Sequence, residues 1–404
     1  MSNNVSLLIN GKEFVFWTDV SITRAIDQVD SIEFGAPFDH EAPGFKETFA
    51  PFSFNPIQIN IDGAPLFTGT MIDVAPDIGE SRTISVNGYA TAGVLGDCTA
   101  PVAAMPLEFN KLTLKDISER LAGFFNVGVE FKGDPGAPFD RVACDPDRKV
   151  LDFLADLAKQ RGFVISSNAA GGLLFWKSEG GAIVARLKQG TSPLTDIKPD
   201  FSPQDYYSEL TGLAAEEVDR AGSKTTVKTR AKMTPEEKKR RRDARKGLKG
   251  AERDAVNAKF ASEDAAKRAA TKATQKKNKP AKKYNKFSVG ADEAEVFRPL
   301  TFKITDADGK DAETATRAKL ARMLGNMATY TLDVDTWRDA NGAIWAPNTR
   351  IQIEAPDAMI YGQYTFEVKS VRLNQSENSE TATISLALPG SFSGEPPEVY
   401  PWEL

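Results

Sequence analysis

The chain has 404 residues, 41% of them hydrophobic and 26% charged, which at roughly 100 to 200 residues per domain gives room for two to four folded units with buried cores. Two distant cysteines, Cys98 and Cys144, and a single histidine, His40, exclude a disulfide scaffold and the usual thiolate and imidazole zinc frameworks. The net charge of −5 is a sum of opposites: residues 220–286 hold 24 Lys and Arg against 7 Asp and Glu, while the remainder holds 27 against 49.

No apolar run reaches the roughly 18 residues of a membrane span, and Leu7, Leu8 and Ile9 make too short a stretch for a secretory leader. The expectation is a soluble chain made in a reducing cytoplasm, with no integral membrane segment. In chain order, Val5 to Ile9 and Glu13 to Trp17 flank Asn10-Gly11, the dipeptide that best tolerates the positive φ values of a two-residue hairpin turn. Ile57, Ile59 and Ile61 alternate with Gln58, Asn60 and Asp62, Gly63 turns the chain, and Gly69 to Val74 pairs with Thr83 to Val86. The period of two predicts a half-buried β meander.

Helices follow. Thr113 and Asp116 have capping-box spacing ahead of Leu114, Ile117, Leu121 and Phe124, which recur at helical intervals. A second helix is predicted from near Asp147 through Val150, Leu154 and Leu157 to a stop at Gly162. Phe163 to Ser166 and Leu173 to Trp176 then read as a hairpin, completing an α+β unit that ends near Gly212.

The end of the chain repeats its beginning. Pro56-Ile57-Gln58-Ile59, then Gly69 and Thr83-Ile84-Ser85-Val86, is echoed by Pro347, Ile351-Gln352-Ile353, Gly362 and Thr383-Ile384-Ser385-Leu386. The step from Ile-Gln-Ile to Gly is twelve residues in one copy and eleven in the other. Duplication of one β domain, with the α+β unit between the copies, accounts for this.

Four stretches carry a resemblance to a known family: Ile9-Asn10-Gly11-Lys12 with Trp17; Leu95-Gly96-Asp97-Cys98-Thr99; Leu187 to Gly212, with Gly190, Phe201, Ser202 and Tyr207; and a C-terminal run. That run comprises Arg298-Pro299-Leu300, the Arg317 to Met327 helix, Trp337-Arg338-Asp339-Ala340-Asn341-Gly342 and Trp345-Ala346-Pro347-Asn348-Thr349. Over residues 5–215 and 295–392 the chain resembles the baseplate hub proteins of Mu-type contractile phage tails, and more distantly T4-type hubs and the hub portion of type VI secretion spike proteins. The resemblance implies a fold that is α+β and mainly β, with two similar barrel-like β domains per subunit and a homotrimer forming a pseudo-sixfold ring. It implies a structural role in the virion, assembled in the host cytoplasm: adapting a sixfold tail tube to a threefold spike around a DNA-wide channel, with spike protein, tail tube protein and other baseplate proteins as partners. The expected divisions are 1–97 and 296–392 as the β domains, 98–212 as the α+β domain, 213–295 as a basic, partly helical insertion, and 393–404 as an extended Pro-rich tail.

Residue chemistry offers no enzyme. Glu216-Glu217 and Asp333 with Asp335 read as solvated faces or strand edges, since 56 carboxylates guarantee some dyad-like pair. His40 sits in a Pro- and Gly-rich loop without the nucleophile and orienting acid a catalytic histidine requires. Asp306-Ala307-Asp308-Gly309 fails the calcium-loop register because Lys310 and Arg317 occupy ligand positions. There is no phosphate-cradling glycine motif, and Cys98 lacks an activating partner. No metal or cofactor is expected. A tail-tip peptidoglycan hydrolase and a nucleic-acid-binding protein with a basic arm are the alternatives.

The basic segment lies outside the resemblance. Thr234-Pro235-Glu236-Glu237 is a strong helix start, Lys238 to Lys246 continues it and Gly247 permits a stop. Ala251 to Lys277 has high helical propensity but almost no large apolar residue besides Val256 and Phe260. Two readings stay open: a solvated insertion touching a neighbouring baseplate protein, or a positive surface that meets genomic phosphates or the tape-measure protein. The candidate contacts are Lys238, Lys239, Arg240, Arg241, Arg242, Arg245, Lys246, Lys276, Lys277, Lys282 and Lys283.

Overall fold

The computed structural model describes residues 3–79, 82–177, 181–205, 207–215, 235–246, 252–253, 255–260, 262–263, 284–290, 296–304, 312–392 and 399–404. They divide into two compact units, one of Met1–Ala214 with Asn285–Leu404 and one of Ala215–Tyr284.

The larger unit begins with β1 (Val5–Ile9) and β2 (Lys12–Glu13). Asn10 and Gly11 take φ values of 52° and 71° between them, the left-handed pair that the Asn-Gly turn predicts. β2 is only two residues long, because the chain beyond Glu13 leaves the ladder. Then come β3 (Asp19–Ala25), β4 (Ser31–Pro37), the short helix α1 (Phe45–Thr48), β5 (Pro56–Ile61), β6 (Ala64–Ile78) and β7 (Arg82–Ala90). Asp62-Gly63 repeats the hairpin device between β5 and β6, with φ values of 52° and 83°. Ile57, Ile59 and Ile61 all point into the core.

Residues 92–175 enclose a second core around Leu95, Phe109, Leu121, Phe153, Leu157 and Phe175. It is built from α2 (Val94–Asp97), β8 (Glu108–Leu112), α3 (Leu114–Gly123), β9 (Val129–Lys132), β10 (Phe139–Ala143), α4 (Val150–Gln160), β11 (Phe163–Ser167) and β12 (Leu173–Lys177). The capping box forms as its spacing predicts: the Asp116 N–H donates to Thr113 Oγ1 at 3.2 Å and the Thr113 N–H donates to Asp116 Oδ2 at 2.9 Å. Both α3 and α4 turn an apolar face inward, burying Ile117 and Leu121 from one and Leu154 and Leu157 from the other.

The chain next forms β13 (Ile183–Lys188), β14 (Leu194–Phe201) and β15 (Glu209–Ala215). In the smaller unit lies α5 (Pro235–Asp243). After it come β16 (Tyr284–Gly290), β17 (Pro299–Ile304), α6 (Ala312–Met327), β18 (Ala328–Val334), β19 (Arg350–Ala355), β20 (Ile360–Ser376) and β21 (Ser379–Ala387). β15, β16 and β17 make a small sheet of their own, on which Leu210 packs with Leu320 and Met323 of α6.

The expected pair of barrels is corrected by the strand order. Among the described residues no sheet closes on itself, and both β halves share one 13-stranded sheet. The reason lies in β20. Its first half pairs with β19, but Ser370–Ser376 runs past the end of β19 and pairs with β3 instead, so the edge that would close one half joins it to the other.

Within that sheet the two halves have the same topology. Five strands in the order β5-β6-β7-β4-β3 are matched by β19-β20-β21-β18-β14, the strands of each set occurring in the same sequence along the chain. Both long central strands carry a register shift at the same place, between Met71 and Asp73 in β6 and between Val368 and Ser370 in β20. Pairing also sharpens the repeat. Ile57 faces Gly69 where Ile351 faces Phe366, so Gly69 corresponds to Phe366 and not to Gly362. Beyond the bulges, Val74 faces Val86 where Val371 faces Ile384, a two-residue slip from the Thr-Ile-Ser match.

The core joining the halves contains Trp337 and Trp345, both fully enclosed. Trp337 Nε1 donates to the carbonyls of Asn374 and Thr381, at 3.1 and 2.8 Å, and Trp345 Nε1 to that of Thr336 at 2.9 Å. The Trp-Arg-Asp-Ala-Asn-Gly motif is thereby a structural clasp: Asp339 Oδ1 accepts from the N–H groups of Asn341 and Ala343, and Arg338 reaches Asn3 and Asp62 in the first half.

Candidate assembly site

The smaller unit holds the described part of the basic segment. Pro235 opens α5, as the Thr-Pro-Glu-Glu pattern predicts. Phe260, one of the few large apolar residues of this segment, is buried, and three guanidinium groups surround its ring: Arg241 at 4.9 Å, Arg245 at 5.5 Å and Arg240 at 5.8 Å from the centroid. Arg240 also donates to Glu263 Oε2 at 2.6 Å. Cation–π stacking thus does the work that an apolar core does elsewhere. Arg241 is buried, whereas Lys239, Arg242 and Lys246 are exposed and Arg245 combines exposure with its ring contact. Lys238 lies on α5, with its side chain outside the described residues, as are Lys276, Lys277, Lys282 and Lys283 altogether. Of eleven predicted contacts, three, Arg240, Arg241 and Arg245, therefore pack on Phe260. The sequence marks Val256 and Phe260 as almost the only large apolar residues of Ala251 to Lys277, but gives no sign that arginines pack on Phe260.

The larger unit offers sheet edges. Among the described residues β14 ends the main strand path and has a strand partner, β18, on one side only; the second half of β6 pairs with β7 but extends beyond β5. Along these edges Ile78 is 60% exposed and Phe201 39% exposed. A separate open groove, lined by Phe14, Phe16, Phe45 and Phe49, encloses about 710 Å³.

The residues weighed for catalysis are not brought together. His40 and Glu41 are exposed neighbours in one loop. Asp333 accepts from Thr383 Oγ1 at 2.8 Å and faces Lys198 at 3.5 Å, the environment of a strand-edge carboxylate. Glu216, Glu217 and Asp306 to Gly309 lie outside the described residues. Cys98 is half-buried and Cys144 buried, and neither is in a disulfide. Among the described residues no group of three or more His, Cys, Asp or Glu is placed to hold a metal, and no helix is long and apolar enough to cross a membrane.

Two buried carboxylates escaped the sequence reading. Burial pushes Asp30 up to about 6, against the opposing pull of Arg24, whose Nε lies 3.3 Å away. Burial likewise raises Glu367, which accepts from the Gly390 N–H at 3.3 Å and faces Arg350 at 3.8 Å. Both sit at joints: the Asp30 N–H donates to Ser167 Oγ of the α+β unit at 2.9 Å, and Glu367 lies where β20 meets β19 and β21.

Comparison with known proteins agrees with this architecture. Residues 92–177, the span of the second core, match a family described as "Baseplate hub protein gp44-like, second domain". The chain is 27% identical over 367 residues to "Baseplate hub protein gp44" of Escherichia phage Mu, covering 88% of this chain and 80% of that protein. In fold it matches a 43 kDa tail protein of prophage MuSo2 from Shewanella oneidensis, with a TM-score of 0.70 and 20% identity over 96% of this chain and 99% of the other. A tail protein from Neisseria meningitidis MC58 matches with a TM-score of 0.68 and 18% identity over 98% and 99%. The matching α+β domain, the near full-length relationship and the common fold together make this chain similar to the Mu-type baseplate hub proteins of phage tails.

Proposed function

We propose that the chain acts as a homotrimeric hub, each subunit giving two similar β halves to a ring of six, so that one face suits a sixfold tail tube and the other a threefold spike. The observation that carries this reading is the duplicated strand order, β5-β6-β7-β4-β3 and β19-β20-β21-β18-β14. Two quasi-equivalent halves per chain are what a threefold assembly needs to present sixfold surroundings. The role is geometric and involves no bond chemistry. Its partners are the spike protein, the tail tube protein and other baseplate proteins in the virion, with assembly in the host cytoplasm and DNA passing through the ring. Class averages of the purified protein in the electron microscope test it: a ring of six lobes with threefold symmetry and an open centre is expected, and isolated single-chain particles would contradict it.

A second reading concerns the basic unit. Lys239, Arg242, Arg245 and Lys246 are exposed on or just after one short helix, a cluster that suits phosphate or an acidic protein surface. It serves there as a contact for genomic DNA, the tape-measure protein or a baseplate neighbour.

A further inference from the structure

Apart from the Phe14 groove, the larger unit holds a cleft where α4, β17 and α6 meet. On α6, Leu320 and Met323 turn inward against Leu210, so Lys319 and Arg322, one position earlier in each case, share the neighbouring flank. On α4, Leu154 and Leu157 face the α+β core, and Asp156 and Lys159, again three residues apart, lie beside them. Phe302 and Lys303 of β17 close the lining around about 360 Å³. From this arrangement we infer that the cleft is an anion site for the phosphate group of a small molecule, either inorganic phosphate or a phosphate monoester. The inference stands on these residues and does not depend on the ring reading.

Charge carries the argument. Lys159, Lys303, Lys319 and Arg322 all line the cleft, and the one carboxylate among the described residues that line it, Asp156, is bonded by Arg148. The other carboxylate beside them is Asp27, whose Oδ2 lies 3.5 Å from Arg322 Nε. Among the described residues, none of Lys159, Lys303 and Lys319 forms an ion pair. Four cations against two carboxylates leave a surplus of two positive charges, which a phosphate dianion neutralises. A carboxylate or a phosphodiester, with one charge each, leaves half of it uncovered.

Burial makes that surplus costly. The Arg322 side chain is only 18% exposed, and its Nε is buried without a hydrogen-bond partner. Burial pulls its guanidinium below the usual arginine range, against the opposing influence of Asp27 and Asp156. Burial also lowers Lys319, whose Nζ sits 4.0 Å from the centroid of the Phe302 ring, a contact that orients the ammonium without neutralising it. Cations withdrawn from water without a matching anion are destabilising. Phosphate oxygens offer the planar fork of Arg322 the acceptors that the chain does not supply, and lysines bind the same group as point charges. The volume is at the small end of ligand sites, room for a phosphate with a short substituent.

Lysine labelling of the full-length protein with a small amine reagent, read peptide by peptide by mass spectrometry, tests the site. Inorganic phosphate, compared with chloride at equal ionic strength, should slow labelling of Lys319 and Lys159 at least threefold, while the exposed Lys12 and Lys188 keep their rates. Arg322→Gln should abolish this protection. Lys303→Gln, at an exposed strand position, should weaken it and serves if the arginine variant does not fold. Phenyl phosphate protecting at a lower concentration than inorganic phosphate would identify a monoester as the ligand; equal or weaker protection would identify inorganic phosphate. Equal slowing of all lysines, which is charge screening, would overturn the site. So would protection by a glutamate-rich peptide but not by phosphate, or protection that survives in both variants.

Discussion

At the scale of single residues, the informative groups hold separate parts of the fold to one another. Asp30 is one: its backbone bonds Ser167 and Ala90 while its carboxyl faces Arg24. Because its folded-state value of about 6 lies above the ordinary 3.8, the fold favours the protonated form. Its contribution to stability is fully present below 3.8 and is lost as pH rises through about 6, an effect of at most about 3 kcal/mol. Asp30→Asn should flatten the fall in Tm across that window; an unchanged slope would show that another group is responsible. The contrast with Thr113 and Asp116 is one of range. Three residues separate those partners, so the cap was legible in the sequence. Asp30 and Ser167 are 137 residues apart, and nothing local announces their meeting.

At the scale of elements, legibility followed the strength of local pattern. Ile57, Ile59 and Ile61 announce β5 by strict alternation, and α3 and α4 by helical spacing with clear ends. β3 and β4 were missed because β4 contains Gly35 and Pro37, which read as turn signals, and because the burial of both is supplied by strands distant in sequence, β20 and β7. The repeat was visible but its register was not, since a two-residue slip leaves every side chain on its own face, and only the bulges at Ile72 and Lys369 resolve it. In the basic unit, Phe260 was visible beside Val256 as a rare large apolar residue, yet its ring of arginines depends on tertiary placement. This element carries its own prediction. Full-length protein should bind a short DNA duplex with an affinity that falls steeply with salt, and Phe260→Ala or deletion of residues 220–286 should weaken that binding at least tenfold. Binding that persists in the deletion variant, or that ignores salt, would remove the phosphate reading.

At the scale of the whole molecule, the charge of −5 averages a scaffold and an appendage of opposite sign. The acidic scaffold is one continuous sheet made of two equivalent halves, with the α+β core inserted between them in the chain. Sequence motifs pointed to a family resemblance and to the duplication, and the resemblance implied two barrel-like domains where the structure has two open halves joined through β20 and β3. Open halves suit assembly, because each leaves strand edges open to pairing. The most direct test of that account is a native mass measurement on the full-length protein over a range of concentrations. A species of three times the 44.0 kDa chain mass, persisting on dilution, is the expected result; a monomer at high concentration, alone and in the presence of its spike protein, would contradict it.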